Sequence, residues 1–172
     1  MQRCHTLRAG VLALAALMLV SCEQGAGPGD AGFRTQYFSA RDALEEGRYD
    51  RASRTYARLL TRAGPLEPRI RLEYAHSLLR AGDYAAAARE ARQLAGSQSG
   101  TGRRAALSVQ ATADHELGLV AIQSGDTGAG RRLLSQAELA ISEVLEHEPA
   151  LDPLGALAGR QASIRVRLRT LG

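Results

Sequence analysis

Three short glycine-centred segments recur along the chain, and they constrain its fold more than any other feature. Glu46-Gly47-Arg48-Tyr49-Asp50-Arg51-Ala52 and Ala81-Gly82-Asp83-Tyr84-Ala85-Ala86-Ala87 carry Gly, Tyr and Ala in one register, 35 residues apart. A third copy, Ser124-Gly125-Asp126-Thr127-Gly128-Ala129-Gly130, follows 43 residues later with threonine in place of tyrosine. Each copy interrupts an apolar pattern of helical period, and glycine just past such a stretch is a helix stop signal. From Phe33 onward leucine and alanine dominate, and no segment alternates β-branched residues as a strand would. Further breaks fall at Gly64-Pro65, Gly96 to Gly102 and Pro149 to Pro153. A period of about 34 residues describes a stacked array of helix-turn-helix units. The chain is read as all-α.

Every unit also places a small residue at one position on each of its helices. Before the turn these are Ala40, Ala75 and Gly118; after it they are Ala52, Ala87 and Gly130. The demand is steric, because a larger side chain there would push paired helices apart. The combined pattern resembles the tetratricopeptide repeat (TPR). That resemblance implies a right-handed helical solenoid of about three repeats, over 33–66, 68–101 and 111–147. Tyr49 and Tyr84 are then expected in the inter-helix core. The second-helix apolar positions are Tyr56, Leu59 and Leu60, then Ala91 and Leu94, then Leu134 and Ala137. The extra stretch Gly96 to Arg104 is read as a loop between repeats. The chain departs from the family pattern at Gln36, Arg71 and Asp114, where an aromatic or apolar residue is expected. Its late prolines, Pro65 and Pro149, are also displaced. A last helix over 152–171, with Leu154, Leu157, Ile164 and Leu168 on one side, would cap the solenoid's end. Asp152-Pro153 suits its start, as N-cap and first helical residue.

The N-terminus carries a different message. A basic head with Arg3 and Arg8 precedes an apolar run from Val11 to Val20, ending in Leu19-Val20-Ser21-Cys22. A charged head, an apolar segment of roughly ten residues and a small residue before the cut describe a secretory signal. The run is too short to span a bilayer, which takes about 20 residues. Its last four residues are similar to the lipobox of bacterial lipoproteins. This resemblance implies cleavage after Ser21, a diacylglycerol on the Cys22 sulfur and an acyl chain such as palmitate on the new amino group. Glu23, where aspartate would mark inner-membrane retention, favours the outer membrane facing the periplasm. Residues 1–21 are thus expected to be a signal peptide and 22–32, rich in Gly and Pro, a lipidated flexible tether.

Charge excludes little. All 22 basic residues are arginine, and lysine, asparagine and tryptophan are absent, a bias that follows from a GC-rich genome. Removing residues 1–21 takes away Arg3 and Arg8 and no acidic residue, leaving a formal excess of only +2. Nucleic acid is therefore not an expected partner. Cys4 would be lost with the signal and Cys22 acylated, so packing rather than disulfides would hold the fold.

No catalytic constellation stands out. His115-Glu116 opens like a zinc-protease helix, but Leu119 stands four residues beyond the histidine. GDTGAGRR, Gly125 to Arg132, has phosphate-loop glycines with arginine where Lys-Ser/Thr belongs, and it reads as the third repeat turn. Gly96-Ser97-Gln98-Ser99-Gly100 has glutamine where a hydrolase elbow needs serine. No metal or cofactor is expected, and the chain is read as a non-enzyme. The TPR resemblance implies a partner-binding groove on the first helices of the repeats. Mapped onto this chain, it would contain Arg34, Tyr37 and Arg41, then Arg69, His76 and Arg80, and finally His115. Arginine forks suit carboxylates, so the expected partner is an envelope protein with an acidic segment or a C-terminal carboxylate. The competing reading of these arginines is a solvated face salt-bridged to Glu45 and Glu73. Arg51, Arg54 and Arg58 are read as a solvated outer face. The function expected is a lipid-anchored adaptor for assembly of a pilus, secretin or outer-membrane machine. The alternative is a periplasmic enzyme, or an activator of a cell-wall or polysaccharide enzyme.

Overall fold

The computed structural model describes residues 28–171. Cys4, Cys22 and the expected signal peptide lie outside the described residues. The chain divides into two compact units, residues 1–35 and 36–172. The first contributes only the start of the first helix to the described residues; all later helices belong to the second.

The described residues are all-helical, without strands. Seven α-helices follow in order: α1 Pro28–Glu45, α2 Tyr49–Leu60, α3 Glu67–Arg80, α4 Tyr84–Ser97, α5 Gly100–Gln123, α6 Thr127–His147 and α7 Ala156–Thr170. Two 3-10 turns, Gly64–Leu66 and Pro149–Leu151, occupy the proline breaks. None of the described helices is long and apolar enough to cross a membrane. α1 begins at Pro28, so the last residues expected in the tether are helical. Proline favours a first helical turn because its missing N–H has no intrahelical partner there.

The three repeat glycines close their helices in one way. Gly47, Gly82 and Gly125 all have positive φ, of 79°, 83° and 91°. At the second turn Gly82 N–H donates to Leu79 O at 3.2 Å and Asp83 N–H to Leu78 O at 3.0 Å. Ala43–Arg48 and Ala121–Asp126 repeat the pattern. This is a Schellman closure, which satisfies the last carbonyls and needs a residue tolerant of the left-handed region. The residue after each glycine is the N-cap of the next helix. Asp83 and Asp126 cap α4 and α6 by accepting from Ala86 N–H at 3.0 Å and Ala129 N–H at 2.8 Å.

Small residues sit where the helices of each pair meet. Ala40, Ala52, Ala75 and Ala87 are completely buried, and Gly118 and Gly130 are buried with them. α2 packs on α3, α3 on α4, α4 on α5, α5 on α6 and α6 on α7; α3 also lies against α5, two helices on. Tyr56, Leu59 and Ile70 fill the early core. Leu94, Leu107, Leu134, Ile141, Val144 and Ile164 form a continuous later core through α4–α7. Tyr49 and Tyr84 are half-buried rather than enclosed.

Two further expectations, on the inter-repeat loop and on the last helix, need correction. The loop expected over 96–104 shrinks to Gln98 and Ser99, and the helix expected from 111 already runs from Gly100. Gly100 and Gly102 fall in its first turn, where few backbone bonds depend on them. Arg103 secures that turn by donating to Ala95 O at 2.9 Å and to Glu143 at 2.8 Å. The last helix starts at Ala156, not at Pro153. Asp152 still caps it from outside, accepting from Leu157 and Ala158 N–H at 2.9 Å each. Those donors hold its carboxyl below the usual carboxylate range. Leu154 consequently falls outside the helix and is 92% exposed, while Leu157 and Ile164 are buried.

Candidate partner-binding surface

The second half of α1 and the adjoining face of α3 bring several expected groove residues together. Buried Tyr56 of α2 supports Tyr37 from below, edge to face, with ring centroids 6.3 Å apart. Arg69, in the first turn of α3, donates to the Tyr37 hydroxyl at 2.9 Å, and its guanidinium stands 5.4 Å from the ring centroid. Arg41, one helical turn beyond Tyr37, donates to Glu45 at 2.9 Å. Glu45 first and the Tyr37 hydroxyl second hold its proton more firmly than usual, with Glu73 adding to the field. Tyr37, Arg41 and Arg69 therefore form one connected polar and aromatic surface, with Glu45 and Glu73 beside it.

Beneath this surface the Tyr56 hydroxyl is buried and has no hydrogen-bond partner among the described residues. Burial, then the neighbouring Glu73 carboxylate, pushes its ionisation well above the ordinary tyrosine value. It stays a neutral donor. His76 on α3 is half-buried, and burial pushes its ring below the ordinary histidine value; Glu73 opposes the shift and Arg80 adds to it. Near neutral pH it is an uncharged hydrogen-bonding group.

The remaining expected groove residues are placed elsewhere. Arg34 is exposed near the start of α1, within the first unit. Arg80 turns to the first inter-helix turn, where it donates to the Tyr49 hydroxyl and lies 4.8 Å from that ring's centroid. His115 is buried beneath α7, beside Glu116 at 3.2 Å and bonded to Arg160, which also donates to Glu116 at 2.8 Å. An arginine only donates, so His115 Nδ1 is the acceptor and is not available as a base there. Burial first, then Arg160, pushes this ring below its ordinary value.

The positions that depart from the repeat pattern carry inter-helix bridges that the sequence did not announce. Gln36 accepts from Arg62 beyond the end of α2. Arg71 of α3 pairs with Glu67 and with Glu90 of α4. Asp114 of α5, fully buried, accepts from Arg92 of α4 at 3.0 and 3.2 Å. The available signal was the polar substitution itself; its partner needed the fold. Among the described residues, no group of three His, Cys, Asp or Glu side chains is placed to hold a metal ion. No protein-family model, curated protein or solved structure matches the chain.

Proposed function

We propose that this chain is a protein-binding adaptor built as a TPR-like right-handed solenoid and anchored by lipid on Cys22 in a bacterial envelope. It would serve assembly of a pilus, secretin or outer-membrane machine, at the outer membrane facing the periplasm. The carrying observation is the joined surface of Tyr37, Arg41 and Arg69 across α1 and α3, where aromatic area meets fixed guanidinium groups. Aromatic and arginine side chains dominate the binding energy of protein interfaces. The three Schellman turns, the six small residues at helix contacts and the α3–α5 contact support the solenoid reading.

An acidic segment or C-terminal carboxylate would displace Glu45 from Arg41 and take up Arg69. Crosslinking and co-purification from native envelopes test this with the full-length chain. Arg41→Glu with Arg69→Glu is expected to lose at least nine-tenths of the recovered partner, a change of about 1.4 kcal/mol or more, while the helical circular dichroism stays intact. Undiminished recovery would remove this surface from the interface.

A further inference from the structure

Away from that surface, four arginines converge on an open cleft at the first inter-helix turn. Arg48 just before α2, Arg51 and Arg54 from its first half and Arg80 from the end of α3 line a volume of about 370 Å³, with Tyr49 and Asp50 among the other lining residues. Arg80 is held in position by stacking on Tyr49 and donating to its hydroxyl. Arg48 pairs with Glu46, which lies outside the lining. Among the described residues, Arg51 and Arg54 make no ion pair. Counting Glu46, the partner of Arg48, together with the lining carboxylate Asp50, the four guanidinium groups leave a formal excess of +2 at the cleft.

Folding by itself gains nothing from placing Arg51 and Arg54, neither in an ion pair, in one concavity with two further guanidinium groups, where like charges repel and raise the local potential. The corresponding turns are built differently, since Asp83 and Asp126 stand at the position of Arg48 and cap the following helices. The start of α2 has no side-chain cap, so the positive end of its dipole adds to the arginine field without defining the site alone. A lone carboxylate would be satisfied by a single bidentate arginine. Guanidinium groups arriving from two helices match a group with several acceptor oxygens and more than one negative charge. The volume exceeds that of a bare oxyanion and lies in the range of small-ligand sites.

We propose that this cleft binds a small ligand through a phosphate monoester or diphosphate group. The site is independent of the α1–α3 surface and of the adaptor reading. Isothermal titration of the full-length chain with pyrophosphate at low salt tests it. Saturable one-to-one binding is expected, and Arg51→Gln with Arg54→Gln should weaken it at least tenfold, since two charge-assisted contacts are lost. Arg131→Gln with Arg132→Gln removes two exposed charges from α6, neither of which lines the cleft, and should leave the affinity within about twofold, because exposed charges outside the site are screened. All four arginines are exposed, so both variants should keep the parent's circular dichroism. Absence of saturable binding, equal weakening by both variant pairs, or acetate binding as tightly as pyrophosphate would each overturn the proposal. Competition by glycerol 3-phosphate and by phosphatidic acid in mixed micelles separates the two sources of the group, since the better competitor identifies a soluble ester or a lipid headgroup.

Discussion

Gly118 and Gly130 bring the backbones of α5 and α6 into contact. A Cβ on Gly130 would stand 2.4 Å from Ile122 Cγ1 and 3.0 Å from the Gly118 carbonyl oxygen. Ile122 can rotate away, but the carbonyl belongs to a packed helix. Gly130→Ala should therefore destabilise the fold by about 1–3 kcal/mol, the usual cost of overpacking. Gly159, inside α7, has nothing within 4 Å of the same added atom. Gly159→Ala should stabilise by about 0.4–1 kcal/mol through helix propensity and chain entropy. Urea unfolding of both variants checks the pair, and a loss of stability at both sites would contradict the packing argument. The need for small side chains at 118 and 130 was legible from their repeat register. Why glycine stands there rather than the alanine of the earlier repeats was not, because the distance between helix backbones is a property of the assembled pair.

At the scale of elements, α7 seals the end of the later core through Leu157 and Ile164 and meets α5 through Arg160, His115 and Glu116. His115 and His76 both take up protons less readily in the folded chain than at the ordinary value of 6.5. Between the folded and ordinary values the unfolded chain binds more protons, so folding is disfavoured as acid is added. This contribution is full above about pH 6.5 and is lost as pH falls through the folded-state value. Around His115 the charged groups are Arg160 and Arg167, which oppose protonation, and Glu116, which favours it. The thermal midpoint should fall between about pH 7 and pH 5.5, and His115→Gln should fall less, since its amide oxygen still accepts from Arg160 without titrating. An equal fall in both proteins would exclude His115 as a source. Glu116 acts in a separate window, for its depressed carboxyl contributes stability above about pH 4.5 that is lost as pH falls through its folded value. Helix existence was legible here from the spacing of the glycine and proline breaks and the absence of strand alternation between them. The start of α5 was not, because glycines at 100 and 102 read locally as a loop, while the bonds of Arg103 to Ala95 and Glu143 join residues distant in sequence.

Across the whole molecule, the lipobox-like Leu19 to Cys22 and the helical array are linked only by the proposed anchor. Cys22→Ala should abolish metabolic labelling by a palmitate analogue and move the chain from the membrane to the soluble fraction, a shift of several kcal/mol for two or more acyl chains. Unchanged membrane retention would exclude acylation at Cys22 as the anchor. The all-α class and the glycine turns were determined by the sequence alone, because helical periodicity and left-handed closure are local properties of a few consecutive residues. The buried register of the small residues followed from the same repeat. Tertiary structure decided which polar groups met. It drew Arg80 from the expected groove to Tyr49, enclosed His115 under α7 and matched Asp114 with Arg92. It also left Arg51 and Arg54, read in sequence as part of a solvated face, lining a cleft in which, among the described residues, neither makes an ion pair. Long arginine side chains reach several Å beyond their own helix, so their partners depend on how neighbouring helices are set, and no local pattern encodes that.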